Sequence, residues 1–299
     1  MPANRIIEKI FRKERHDVAL VLSSGGARGL AHVGAIDALL ANGYHITSVA
    51  GTSFGSIVAG MYASGHFEDF KAWMADVDRR RMRQLTDYKL SLNSIVKGER
   101  VINAMKEIAP DRDTETLDIP FCAVATDWKT GREVVFNKGS MWQAIRASIS
   151  VPGYFAPLEI DDKILIDGGI TNPLPLDRVY RSGHDILVGV NVSGHDYGRI
   201  WQRKEAERLH QIRNSKALTF LTRLLDVGQT PTLNYYTLLD QTISIAIAQN
   251  ARRAIQITPP DILVDIPMKR FGGSDYDKYE LIREVGEKKT VNAIEKFRK

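Results

Sequence analysis

The chain has 299 residues, of which 43% are hydrophobic and 26% charged, and these ordinary values argue against disorder and low complexity. A single cysteine, Cys122, excludes an intramolecular disulfide and a cysteine-rich zinc site. The 41 Lys and Arg residues against 36 Asp and Glu leave a net charge of +5, too small to indicate nucleic-acid binding.

Residues 1–16 form a charged, basic segment in which Ile6, Ile7, Ile10 and Phe11 fall at helical spacing. The pattern predicts a helical segment that either packs on the core or lies on a membrane surface. The segment lacks the uninterrupted apolar stretch of a signal peptide, and no run approaches the roughly 18 apolar residues of a membrane span. Together with the lone cysteine, this predicts a cytoplasmic protein with at most peripheral membrane contact.

From residue 17 the chain alternates short apolar strands with helices, which predicts a mostly parallel sheet covered by helices. Strands are predicted at residues 17–22, 47–50, 120–126, 133–136, 164–166, 186–192 and 262–266. Helices are predicted at residues 29–41, 56–64, 67–83, 140–148 and 276–297. Because no linker or internal repeat divides the chain, we expect one domain over residues 17–299.

Residues 196–256 break this alternation with helix-like stretches and few strand signals. We expect a helical insertion or flank that acts as a lid or an acyl groove, or else simply covers the core. Six basic residues suit an anionic lipid surface, but Glu205 and Glu207 dilute their charge, which favours the alternative of an ordinary solvated helix face. They are Arg203, Lys204, Arg208, Arg213, Lys216 and Arg223.

The pentapeptide Gly51-Thr52-Ser53-Phe54-Gly55 has the spacing Gly-x-Ser-x-Gly and lies between a predicted strand and a predicted helix. A nucleophile elbow needs that placement, because the glycines let the chain turn sharply. The turn exposes Ser53 at a helix N-terminus, where the positive potential favours a developing anion. Ser53 is therefore a candidate nucleophile. The alternative is an ordinary turn in which Ser53 only caps the helix.

The segment Ser24-Gly25-Gly26-Ala27-Arg28-Gly29 also follows a predicted strand and precedes a predicted helix. Consecutive glycines there present backbone N–H groups that suit a phosphate or the oxyanion of acyl transfer. The segment matches no nucleotide-binding fingerprint, because Ser24 replaces the first glycine and no Walker lysine follows. A tight turn that only lets helix and strand pack remains the alternative.

A third motif, Asp167-Gly168-Gly169, directly follows an apolar strand. A carboxylate at that end of a strand lies where open α/β sheets bind ligands, although a plain Asp-Gly turn has the same sequence. With Ser53 and the glycine loop, Asp167 completes the parts that acyl transfer needs. Among the seven histidines, His195 is the candidate for a triad, and a role as an ordinary loop residue stays open. The histidines and carboxylates do not show the spacing of metal ligands, so no metal site is predicted.

These motifs, in this order, resemble those of the patatin-like phospholipase family in its compact bacterial-type form. The stretch 146–152, with Phe155 and Pro157, resembles the family's segment before its aspartate. The resemblance implies an α/β fold of three layers, α/β/α, with a central mostly parallel sheet.

The resemblance also implies a Ser53–Asp167 dyad without a histidine. The N–H groups of Gly25 and Gly26, with Ala27 as a third donor, would form the oxyanion hole. Six residues would support these motifs, with Arg28 bracing the loop. They are Arg28, Gly29, Gly51, Gly55, Gly168 and Gly169. Ser24 departs from the family's first glycine and would strain the loop if its φ were positive.

The activity that the resemblance implies is that of a serine lipid acyl hydrolase of the phospholipase, lysophospholipase or esterase type. It would use an acyl-enzyme intermediate and no cofactor, and it would act on a lipid or fatty-acyl ester. An acyltransferase and a catalytically silent lipid-binding regulatory module are the alternatives. Since burial would raise the basicity of Asp167, we expect a poorly exposed carboxylate that is hydrogen-bonded to Ser53.

Overall fold

A computed structural model describes residues 16–77, 99–194, 235–267 and 270–299 of the chain. Several predictions lie outside these ranges. They are the basic segment up to residue 15, the end of the helix expected at 67–83, His195, and the part of the helical region before residue 235 with its six basic residues.

An eight-stranded mixed sheet forms the middle layer. Its strands are β1 (His16–Leu22), β2 (Tyr44–Thr52), β3 (Phe121–Asp127), β4 (Glu133–Phe136), β5 (Leu158–Ile160), β6 (Lys163–Asp167), β7 (Ile186–Gly194) and β8 (Ile262–Pro267). The order is β5-β6-β3-β2-β1-β7-β8, and β4 also pairs with β3. The five neighbouring strands β3, β2, β1, β7 and β8 run parallel. At the β3 edge, β4 and β6 pair antiparallel with β3, and β5 pairs antiparallel with β6.

The described helices cover both faces of this sheet. They are α1 (Ala31–Ala41), α2 (Phe54–Ala63), α3 (Phe67–Ala75), α4 (Glu99–Ile108), α5 (Met141–Ser148), α6 (Tyr235–Ile257) and α7 (Tyr279–Phe297). No helix in the described ranges is long and apolar enough to cross a membrane.

Alternation along β1 explains the two faces, because successive side chains of a strand point to opposite sides. Val18, Leu20 and Leu22 join a large apolar core with α1 to α5 and α7. Ala19 and Val21 join a smaller core on the other face, with the loop 174–179 and α6. The predicted three-layer α/β/α fold is therefore confirmed.

Two described elements were not predicted. β5 has only three residues and adds to the antiparallel edge, so it leaves almost no alternating pattern to detect. Helix α4 has an amphipathic pattern that the sequence already carries, and its apolar residues Ile102 and Met105 are buried in the larger core. β2 also extends beyond the predicted 47–50, since its pairing with β1 begins at Tyr44.

Candidate active site

Ser53 forms the sharp connection between β2 and α2. Its backbone has φ 56° and ψ −128°, a left-handed conformation that is rare for residues other than glycine. The turn can pass this close to β1 because Gly55 has no side chain. A Cβ at Gly55 would collide with the backbone oxygen of Leu22. The Ser53 side chain makes no capping hydrogen bond to α2. Its hydroxyl is therefore not used as a helix cap, as the alternative interpretation of this turn required.

Backbone hydrogen bonds hold Ser53 from both sides. Its N–H donates to Ser148 Oγ at 2.8 Å. Its carbonyl oxygen accepts from the N–H and the hydroxyl of Ser56, at 2.8 and 2.6 Å. These contacts stabilise a backbone conformation that would otherwise relax.

Asp167 lies at the carboxyl end of β6 and is only 3% exposed. Its Oδ1 accepts from the N–H of Gly169 at 2.7 Å, whereas its buried Oδ2 has no hydrogen-bond partner among the described residues. The N–H of Asp167 donates to Ser150 O at 2.9 Å. The side chain is therefore fixed in place, with one oxygen available for chemistry.

Burial raises the pKa of Asp167 to about 6, and the Ser53 hydroxyl and the Gly169 N–H oppose this rise. The expected burial is thus confirmed. The expected hydrogen bond is not formed at ordinary geometry, because Oδ2 lacks a partner, yet the Ser53 hydroxyl is close enough to favour the charged carboxylate.

The loop after β1 presents two backbone N–H groups in fixed orientations. The carbonyl of Gly25 accepts from Arg28 Nε at 2.9 Å, and the carbonyl of Ser24 accepts from Ser193 Oγ at 3.3 Å. In a trans peptide the N–H points opposite to the C=O. The N–H groups of Gly26 and Gly25 therefore point away from these contacts, and neither donates to another described residue. Arg28 thus braces the loop, as expected.

Ala27 was expected as a third oxyanion donor, but its N–H donates to Gly273 O at 2.8 Å. This N–H is therefore not free to bind an oxyanion, and Gly25 and Gly26 remain as the candidate donors. The positive φ of this loop, 57°, occurs at Gly26, where an added Cβ would lie 2.7 Å from Gly273 O. Ser24 has no positive φ. The departure from glycine at Ser24 is therefore tolerated without backbone strain.

Ser53 lies where two lobes of a cavity meet. Both lobes share a wall formed by Gly26, Ser53, Val151, Phe155 and Tyr276. The first lobe extends between α2, α3 and α4 and is almost entirely apolar. It is further lined by Phe54, Ile57, Trp73, Met74, Val101, Met105 and Ile149.

The second lobe lies under α6 and also contains Asp167. It is further lined by Ser24, Gly25, Arg28, Pro152, Tyr154, Ile170, Ile243, Ser244, Ile247, Gly273 and Ser274. α6 is fastened over this lobe by a hydrogen bond of 2.7 Å from Asn250 Nδ2 to Ile170 O. The described part of the predicted helical region thus borders the cavity, and its role as a lid stays a prediction.

Sequence reasoning missed the contribution of the loop after β8. Gly273 and Tyr276 line the cavity, and the Tyr276 ring packs against Phe54 at 5.8 Å between ring centres. No local pattern marks these residues, because they reach the site only through pairing of β8 with β7. The Gly272-Gly273 turn was the one available signal.

His32 is a second residue that sequence reasoning did not place. It is fully buried in α1, and its Nε2 donates to Ser23 O at 2.8 Å just before the glycine loop. Burial lowers the pKa of His32 to about 4, so the imidazole is neutral at pH 7.

Within the described ranges, no group of three or more His, Cys, Asp or Glu side chains could hold a metal ion.

Comparisons with known proteins agree with these observations. The model of the patatin-like phospholipase family matches residues 20–180. An uncharacterized NTE family protein of Mycobacterium bovis is 30% identical, over 94% of this chain and 92% of its own length. Patatin-like phospholipase domain-containing protein 7 of Mus musculus is 32% identical, over 60% of this chain and 14% of its own. Among solved structures, VipD from Legionella pneumophila aligns with 95% of this chain and 67% of its own, at 14% identity and a TM-score of 0.45.

Proposed function

The chain belongs to the patatin-like phospholipase family, whose activity is lipid hydrolysis, and we propose that Ser53 and Asp167 form the dyad that performs it. One observation carries this proposal. A buried carboxylate keeps one oxygen unpaired, and the hydroxyl close to it belongs to a serine held in a strained turn where two lobes of a cavity meet.

In the first half-reaction, Ser53 Oγ attacks the carbonyl carbon of a fatty-acyl ester and its proton passes to Asp167 Oδ2. A carboxylate of ordinary pKa is a weak base for a hydroxyl, and burial moves the pKa of Asp167 towards neutrality. The carbonyl oxygen becomes an oxyanion, which accepts from the N–H groups of Gly25 and Gly26. As the C–O bond breaks, the leaving alcohol takes the proton from Asp167, and the acyl group remains on Ser53.

In the second half-reaction, a water molecule loses a proton to Asp167 as its oxygen attacks the acyl-enzyme carbonyl. The same N–H groups stabilise the second oxyanion. When the bond to Ser53 Oγ breaks, the serine recovers the proton from Asp167 and the fatty acid leaves. A single carboxylate thus serves as base and acid in turn, so the cycle needs no histidine.

In this proposal, the acyl chain and the alcohol side of the ester occupy different lobes of the cavity. The first lobe suits an acyl chain, because Ile57, Trp73, Met74 and Met105 surround it with apolar surface. The second lobe holds the alcohol side of the ester beside Asp167. An acyl acceptor other than water would enter by the same lobe, so acyltransfer remains the second candidate.

The test compares wild type, Ser53→Ala, Asp167→Asn and Ser64→Ala on phospholipids, lysophospholipids and p-nitrophenyl esters. Ser64→Ala is the control, because it removes a buried hydroxyl at the far end of α2. We expect fatty acid release by wild type and Ser64→Ala, and loss of at least about 1,000-fold in the other two. Product accumulating only with an added lysolipid or thiol would favour acyltransfer. Lipid binding without turnover in wild type would favour the silent module.

We further propose a cytoplasmic location with peripheral contact to anionic membranes. The lone cysteine supports a reducing compartment, and Cys122 is buried. Sedimentation with vesicles of increasing anionic lipid content tests the membrane contact, which should strengthen with anionic lipid and weaken with salt.

A further inference from the structure

We propose that Ser148 is a positioning residue, whose hydroxyl holds the backbone of Ser53 in the conformation that directs its side chain towards Asp167. This inference rests on the proposed role of Ser53 as nucleophile. Ser148 is the last residue of α5 and is completely buried. It belongs to the stretch 146–152, to which neither half-reaction assigns a role.

The Ser148 hydroxyl makes two short hydrogen bonds in opposite directions. It accepts from the N–H of Ser53 at 2.8 Å and donates to Val124 O at 2.6 Å. Because its single proton is committed to β3, its lone pair faces the Ser53 N–H in a fixed direction. Ser148 therefore ties the turn after β2 to the neighbouring strand.

This bond matters because of where it acts. The N–H groups at the start of a helix have no partner within the helix, so the Ser53 N–H depends on Ser148. The carbonyl of Ser53 is held separately by Ser56, so the two peptide groups that flank Ser53 are fixed by different residues. A left-handed conformation at a serine persists only when its surroundings determine it in this way.

The same short segment also holds the proposed base. The carbonyl of Ser150 accepts from the N–H of Asp167 at 2.9 Å, and the Ser150 hydroxyl is bonded to Arg146. Residues 148–150 thus contact the backbone N–H of both dyad members. Their rigid connection sets the relative position of Ser53, which follows β2, and Asp167, which ends β6.

Loss of the Ser148 hydroxyl would leave the buried Ser53 N–H without a partner and let the turn relax. Ser53 Oγ would then move relative to Asp167. Ser148 is not among the described residues that line either lobe, so substrate binding should hardly change. The expected defect is therefore in the chemical step.

The experiment measures kcat, KM and the rate of inactivation by an alkyl fluorophosphonate for Ser148→Ala and Ser148→Cys. The thiol is somewhat larger than the hydroxyl and a much weaker hydrogen-bond partner, so this variant weakens the bond without leaving a cavity. We expect kcat and the inactivation rate to fall together, on the order of 10- to 100-fold, with KM within about twofold of wild type.

Ser64→Ala is the matched control, because it also removes a buried serine hydroxyl that is bonded to a backbone oxygen. It should keep kcat even where its unfolding midpoint falls as far as that of Ser148→Ala. The inference is wrong if Ser148→Cys is folded and retains wild-type kcat, or if its loss lies in KM alone. Activity in Ser53→Ala would instead refute the proposed function, so the two failures are distinguishable.

Discussion

Replacing Asp167 by asparagine should stabilise the folded protein at neutral pH while it removes activity. Burial raises the pKa of this carboxyl from 3.8 to about 6, so the folded state resists the charge that the reaction requires. Asparagine carries no charge. Its Oδ1 can keep the bond from the Gly169 N–H, and its NH₂ group would lie where Oδ2 now lacks a partner.

The magnitude follows from the shift in pKa. A difference of about two units, at 1.36 kcal/mol per unit, corresponds to roughly 3 kcal/mol when the carboxyl is fully ionised. Because the pKa is raised on folding, Asp167 carries no penalty below its ordinary value of 3.8. The penalty grows as the pH rises from 3.8 to about 6 and is complete above that. The gain from asparagine should therefore be largest near pH 8 and vanish near pH 4.

Urea unfolding, followed by circular dichroism at a series of pH values, measures this difference directly. Asp185→Asn is the control of opposite sign. Burial raises the pKa of Asp185, but hydrogen bonds from Ser182 and Arg181 outweigh it and leave the pKa lowered. That variant should be destabilised most at neutral pH and less as the pH falls. The reasoning fails if Asp167→Asn is less stable than wild type at pH 8, or if its gain does not depend on pH.

Three further predictions concern the reaction itself. The kcat/KM of wild type should rise about tenfold per pH unit below an apparent pKa near 6 and level off above it, because Asp167 must be deprotonated to act as a base. A flat profile between pH 5 and 7 would contradict this. Met105→Trp fills the first, apolar lobe from the side of α4. It should reduce kcat/KM for p-nitrophenyl palmitate at least about tenfold more than for p-nitrophenyl butyrate. Equal losses on both esters would refute the placement of the acyl chain in this lobe. Gly26→Ala should lower kcat about 100-fold or more, because its Cβ would press on Gly273 O and displace the oxyanion donors; wild-type kcat would show that this loop does not bind the oxyanion.

The parts that sequence could predict are those with local causes. The strands that end at Leu22, near Thr52 and at Asp167 were recognisable because each buried run stops at a glycine-containing turn. β1 and β2 run parallel, so their carboxyl ends lie side by side, and β2 pairs in parallel with β3. β6 pairs antiparallel with β3, with Asp167 opposite Ala125, which brings the end of β6 to the same part of the sheet. This arrangement brings the glycine loop, Ser53 and Asp167 to one cavity.

The parts that sequence could not predict depend on distant contacts. The N–H of Ala27 is taken by Gly273, which lies on a loop after the last strand. Ser148 contacts Ser53 only because α5 packs against β3 and α2. No pattern of spacing records either contact, since each depends on how elements far apart in the chain pack together.

The most direct test of the proposed dyad is the site of covalent trapping. Wild type, Asp167→Asn and Ser148→Ala would be treated with a long-chain alkyl fluorophosphonate and digested, and the modified peptide identified by mass spectrometry. We predict a single adduct at Ser53 in wild type, formed at least about 100-fold more slowly in Asp167→Asn. An adduct at another serine, Ser24 in particular, or an unchanged rate in Asp167→Asn, would contradict the account.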